Sequence, residues 1–144
     1  MTHRIAAGAI VLRDNKILLV RYADGYLVAP GGRVEDGESL TAAAERETLE
    51  ETGITVRATT LLLVEDLECP EYRCCKLWFL CDYLRGEIRP TPEAAAEGIT
   101  EACWLPPGAL STQRVFPPIL KEVPWNQFTH NWPPRCAPPR KMEV

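Results

Sequence analysis

The chain has 144 residues, 46% of them apolar and 25% charged, which fits one globular domain with its own hydrophobic core. A net charge of −4 gives no global basic field, so binding driven by nucleic-acid electrostatics is not expected. No run of about 18 apolar residues exists, which excludes a helix spanning a membrane. In chain order, Ile5 to Leu12 reads as a strand, "RDNK" as a turn and "ILLVRY" (Ile17–Tyr22) as a second strand. "YLVA" (Tyr26–Ala29) is a short strand, and "PGGRVEDGE" is a loop whose glycines permit sharp turns or close approach. Ser39 is placed to cap a helix over Leu40 to Thr52, and Gly53 suits its left-handed C′ position.

After the helix, "ITVRATTLLLVEDLE" is strand material, and "RCCKLWFLCDYL" (Arg73–Leu84) alternates. Cys75, Leu77, Phe79, Cys81 and Tyr83 fall on one face, and Cys74, Lys76, Trp78, Leu80 and Asp82 on the other. Arg85–Gly86 is a turn, Ala102–Leu105 a last strand, and "PPGAL" and "PPILKEV" begin short helices. We expect one domain over residues 1–123 and a proline-rich tail over 124–144, irregular or packed down by Trp125, Phe128 and Trp132.

The six cysteines form no CxxC pair, and only His3 and His130 are available beside them, so a zinc site is not expected. The N-terminal apolar run is short and broken by Arg13 and Asp14, unlike a signal peptide. These features suggest reduced thiols and a cytoplasmic location.

The charge is unevenly placed. Between Gly32 and Ile54 seven acids face two bases, a local charge of −5 in a chain whose total is −4. Glu47, Glu50 and Glu51 sit at the end of the expected helix, where negative charge opposes the macrodipole. At 3.6 residues per turn the three lie within about 100° of arc, while Glu45 points elsewhere. Like charges so placed repel unless cations neutralise them. Hard divalent ions such as Mg²⁺ or Mn²⁺ take oxygen ligands of this kind, and Mg²⁺ leaves positions for water and substrate phosphate. The helix therefore argues for a metal site acting on a phosphorylated ligand.

The same stretch resembles the Nudix box of the MutT-like hydrolases, whose pattern is G, five residues, E, seven residues, then R-E-U-x-E-E-x-G-U, with U a bulky aliphatic residue. Gly32, Glu38, Arg46, Glu47, Glu50, Glu51, Gly53 and Ile54 occupy those positions. The one departure is Thr48 at the first U. Threonine is close to valine in shape, and its hydroxyl can bond the carbonyl four residues back. "YLVAPGG" and "WLPPGAL" extend the likeness, which covers about Ile5 to Leu120. The resemblance implies an α/β fold, an α/β/α sandwich around a central mixed sheet.

It also implies roles. Glu47, Glu50 and Glu51 would ligate the metal, with the Gly31 carbonyl and the distal Glu97 as further ligands. Glu38 and Arg46 would hold the loop and orient the helix, with Gly32 and Gly53 as its structural glycines. The reaction would be attack of water on phosphorus in a nucleoside diphosphate linked to a group X. The base would be Glu47 or a distal glutamate, with Glu97 preferred over Glu101. The cofactor would be Mg²⁺, with Mn²⁺ able to substitute, and the partner a small nucleotide. A homodimer stays open, though no apolar stripe marks an interface. Among ring-bearing residues Tyr22, Tyr26, Trp78 and Phe79 are candidates to stack on a base, and Arg33, Arg73, Lys76 and Arg114 to hold phosphate.

The substrate markers disagree. Pro70, sixteen residues past Ile54, resembles ADP-ribose-hydrolysing members, whereas Tyr72 resembles diadenosine polyphosphate hydrolases. A (deoxy)nucleoside triphosphate or small nucleotide-linked pyrophosphate is the remaining expectation. "GRVEDG" fails as a P-loop because Glu38-Ser39 replaces the lysine and hydroxyl pair. A nucleotide sensor that does not hydrolyse is the rival from another class, and the intact Glu47, Glu50 and Glu51 argue against it. An RNA-end pyrophosphatase would want a basic path to the site, and the sequence offers none.

Overall fold

The computed structural model describes residues 1–142. Strand β1 (Thr2–Arg13) is its organising element. It turns at Asp14 and Asn15, with φ of 53° and 57°, into β2 (Lys16–Tyr22). Asp and Asn are the residue types that tolerate this left-handed pair, the geometry of a tight hairpin turn. On its other edge β1 runs parallel to β6 (Tyr72–Arg85) over ten residue pairs, Thr2↔Tyr72 to Val11↔Cys81. β6 pairs antiparallel with β5 (Thr55–Glu68), and β2 with β7 (Ile99–Leu105). Short strands β3 (Leu27–Val28) and β8 (Val115–Phe116) extend the β2 side. The result is the mixed α/β sheet expected.

The glycine loop holds a short strand that the sequence reading missed. β4 (Gly31–Arg33) pairs antiparallel with β1, Gly8 facing Gly31. A Cβ at Gly31 would stand 2.7 Å from the Gly8 Cα, so the two backbones meet only because both residues lack side chains.

Helix α1 (Leu40–Thr52) has the expected bounds. The Ser39 hydroxyl accepts the Ala42 N–H at 3.1 Å, and Gly53, at φ 84°, donates its N–H to the Leu49 carbonyl. The Thr48 hydroxyl bonds the Ala44 carbonyl at 2.7 Å, the use anticipated for that departure from the box. The buried face of α1 is Ala43, Ala44, Glu47, Thr48, Glu51 and Thr52. Small side chains let the helix lie close on β1 and β5, but they bury little apolar area. Polar ties add to that packing. Glu45, pointing away from the other acids, accepts the Ala58 N–H of β5 at 2.8 Å.

The alternation of β6 separates two cores as expected. Phe79, Cys81, Leu77 and Tyr83 pack with Ala43 and Ala44, while Cys74, Trp78 and Leu80 join the opposite core. That second core also takes α3 (Ile119–Glu122) and Trp125, Phe128 and Trp132 of the tail. Two short tail strands, β9 (Arg135–Cys136) and β10 (Arg140–Lys141), then add to the free edge of β5.

A further helix, α2 (Pro92–Ala96), was not anticipated. Its signals are present in "TPEAAAEG": Thr91 caps it by accepting the Ala94 N–H at 3.0 Å, and Pro92 opens it. The Thr91 hydroxyl also donates to the Glu50 carbonyl, which ties α2 to the last turn of α1.

Candidate active site

Two helices and one strand build the site. α1 presents Glu47 and Glu51 toward β4, and α2 ends at Glu97, after which Gly98 turns the chain at φ 81°. Carboxylate oxygens of Glu47, Glu51 and Glu97 lie within 4.8 Å of one another. Glu47 and Glu51 are buried, and Glu97 is exposed. The Gly31 N–H donates to Glu51 Oε1 at 3.1 Å, which sets Gly31 beside the cluster through its N–H, whereas the expectation concerned its carbonyl. Gly32 leaves room for it. A Cβ there would meet the Glu47 carboxyl carbon at 2.5 Å.

Arg46 organises the remaining acids. It grips Glu38 with two bonds, at 2.7 and 3.0 Å, and reaches Glu47 Oε1 at 3.0 Å and Glu50 Oε2 at 3.1 Å. It also donates to the Arg33 carbonyl at 3.0 Å, fixing the loop to the helix. Its guanidinium holds the Glu38 carboxyl below the usual carboxylate range. Glu50 thus turns to Arg46 and is not one of the three converging carboxylates. Helical spacing placed it with Glu47 and Glu51, but a pairing four residues back draws it aside.

The trio concentrates carboxylates in a largely buried place. Burial, followed by Glu97 and Glu47, pushes the Glu51 carboxyl up to about 10. Burial also raises Glu47, against the lowering contact of Arg46. Tyr22 borders the same field: burial, then Glu51, Glu97 and Glu47, raise its phenol. Glu47 Oε2 and Glu51 Oε2 are buried with no hydrogen-bond partner. Orphaned buried oxygens are costly, and three clustered carboxylates cannot all ionise without a counter-charge. Hard oxygen donors with unused lone pairs fit Mg²⁺ or Mn²⁺.

Of the distal acids, Glu97 joins the trio while Glu101, on β7, pairs with Arg21 at 2.8 Å. Of the eight substrate candidates, Arg33 and Lys76 share a cavity and others scatter. Arg33 lines a cavity of about 300 Å³ beside Gly32. Trp78 is fully buried, and its indole N–H donates to Glu65 at 2.8 Å. Arg73 is held by Asp66 at 2.8 and 2.9 Å, and Tyr26 lies under the Arg114 guanidinium. None of these three lines that cavity. The residues that do include Arg4, Lys76, Tyr72, Phe116 and Met142. Lys76 rests 4.3 Å from the Trp78 ring centre, and burial lowers its ammonium pKa while the Glu51 field opposes that. Arg4, Phe116 and Met142 were missed, since no spacing in the sequence connects them.

A loop–helix carrying Arg46 beside clustered glutamates, on a curled mixed sheet, defines the class as a Nudix hydrolase. The family model for the NUDIX domain matches residues 2–125, and the chain belongs to that family. It is 28% identical over 123 residues to an ADP-ribose pyrophosphatase of Methanocaldococcus jannaschii, covering 81% of this chain and 73% of that one. It is 33% identical over 102 residues to an 8-oxo-dGDP phosphatase of Danio rerio, covering 67% of this chain but only 30% of that longer protein. A crystal structure of a Nudix hydrolase from Nitrosomonas europaea superposes with a TM-score of 0.76 at 21% identity, covering 99% of this chain and 81% of that one.

Proposed function

We propose that the protein is a Mg²⁺-dependent pyrophosphohydrolase of nucleoside diphosphates linked to a group X. The preferred substrates are a (deoxy)nucleoside triphosphate or another small nucleotide-linked pyrophosphate. The observation that carries this reading is the convergence of Glu47, Glu51 and Glu97 with two buried oxygens left unpartnered. Those three carboxylates and Glu50 would hold the metal, with the Gly31 carbonyl as a further ligand. When bound, the ion neutralises phosphate charge and lowers the pKa of the attacking water. Arg46 fixes Glu47 through one N–H and restrains Glu50 through another, so neither carboxylate swings away. Glu97 is the exposed member of the trio, and it would accept a proton from water. Arg33 and Lys76 bring positive charge to the adjoining cavity, where phosphate oxygens would lie.

ADP-ribose hydrolysis is the second reading. It is favoured by Pro70, which sits at the β5–β6 turn, and by the named activity of the archaeal relative. Phosphate release with Mg²⁺ or Mn²⁺ over deoxynucleotides, oxidised deoxynucleotides, ADP-ribose, nucleotide sugars and diadenosine polyphosphates separates the two. Glu50→Gln should abolish turnover with the fold intact. Undiminished activity in that variant removes Glu50 from the machinery, and nucleotide binding without turnover anywhere in the panel would favour a sensor.

A further inference from the structure

One residue beyond the NUDIX match, which ends at 125, lines the cavity beside Gly32: Met142. The tail is first anchored. The Trp132 indole donates to the Leu62 carbonyl at 2.9 Å, and the Ala137 N–H to the Val64 carbonyl at 2.9 Å. From there β10 runs parallel to the end of β5, and the Met142 N–H donates to the Glu68 carbonyl at 2.8 Å. Met142 thereby lines the cavity, opposite chain elements more than a hundred residues away in sequence. Arg140 lies over the ring of Phe116, another lining residue.

The lining is chemically one-sided. Its charged members, Arg4, Arg33 and Lys76, are all cations. Arg4 is stacked 3.9 Å from the Tyr72 ring centre, and its buried Nε has no hydrogen-bond partner, a donor left for a ligand. The rest of the wall is Tyr72, Phe116, Met142 and smaller apolar groups. A nucleobase and phosphates carried on one nucleotide suit it: aromatic and thioether surface for the ring, cations for the anion.

We propose that the C-terminal segment brings Met142 into the substrate site, with Met142 packing on the nucleobase and Arg33 and Lys76 holding the phosphates of the same nucleotide. This rests on the anhydride-hydrolase reading and adds to it a specificity-determining residue outside the family core. Met142→Ala removes only a side chain, because the tail is anchored by Trp132 and Ala137 backbone and indole bonds.

The test is calorimetric binding of dGTP, ADP-ribose and inorganic pyrophosphate with Mn²⁺, in the Glu50→Gln background so that no turnover intrudes. Met142→Ala should weaken at least one nucleotide by about tenfold, the worth of a few buried apolar atoms. Pyrophosphate, which has no base, should hold within about twofold. A chain ended after Pro139 should show the same pattern with a larger loss. Unchanged nucleotide affinity in both variants, or equal loss for nucleotides and pyrophosphate, overturns the proposal. If the Met142-intact protein binds neither pyrophosphate nor nucleotide, the hydrolase reading of the site falls with it, a result distinct from either.

Discussion

Metal loading should be coupled to proton release, and the structure sets the stoichiometry. Glu51 is only 2% exposed, and its carboxyl is pushed up to about 10 by burial and by Glu97 and Glu47. At pH 7.5 such a group is almost wholly protonated in the metal-free protein. A divalent ion needs the carboxylate, so binding must expel about one proton from Glu51. The apparent Kd should therefore tighten by about tenfold per pH unit from roughly 6 to 9. The same linkage has a sign for stability. The folded carboxyl holds its proton more tightly than the unfolded one, so metal-free stability is full at acid pH and declines as pH rises toward about 10. Metal should restore what is lost, and restore more at higher pH. Calorimetric titration of Mn²⁺ in two buffers of different ionisation enthalpy measures the protons directly. Glu51→Gln should bring the count close to zero. A count near zero in the unsubstituted protein, or a Kd independent of pH, would refute the assignment of a protonated Glu51 to the metal site.

Other consequences are simpler to read. Glu97→Gln should slow turnover far more than Glu101→Gln, whose parent pairs with Arg21 on the surface; the reverse order in matched assays would move the distal role to Glu101. Gly32→Ala would thrust a methyl to 2.5 Å from the Glu47 carboxyl carbon. It should cost about 1–3 kcal/mol of stability by overpacking and weaken Mn²⁺ binding, checked by urea unfolding and calorimetry. Trp78→Phe would strip the indole donor from Glu65, which is 1% exposed. A loss of about 1–3 kcal/mol in urea unfolding is expected, with the metal affinity retained.

What the sequence made legible was mostly what local chemistry decides. The ends of α1 were readable because Ser39 and Gly53 act within one helical turn of their partners. The two faces of β6 were readable because strand alternation needs no knowledge of neighbours. Strand β4 was hidden because three residues with two glycines carry no propensity; it exists because β1 offers an edge and Gly8 offers space. Helix α2 spans only five residues, too few for a period to show, although its cap and proline were in view. β9 and β10 depend wholly on the free edge of β5.

Within the site the box residues were legible by pattern, and Arg46, Glu38, Glu47 and Glu51 lie together. The separation of Glu50 from the trio was not, since arc on a helix says nothing of which acid an arginine four residues back will take. Trp78 looked like a stacking residue, yet Gly8 opens a slot for it. A Cβ at Gly8 would stand 2.2 Å from the indole ring, so the side chain sinks into the core. The cavity wall drawn from Arg4, Phe116 and Met142 is a product of topology alone.

The parallel pairing of β1 with β6 has a consequence for how the molecule comes into being. β1 can pair early with β2 and β4, but its parallel edge closes late, because Thr2 waits for Tyr72 and Val11 for Cys81. Contacts of that separation are slow to close, and a nascent chain cannot complete them until β6 has left the ribosome. Glu97 arrives later still. The three acids therefore meet only in a finished domain. An amino-terminal fragment carrying the whole box, Gly32 to Ile54, should be inert toward metal and nucleotide alike, so the young chain carries no half-built hydrolase.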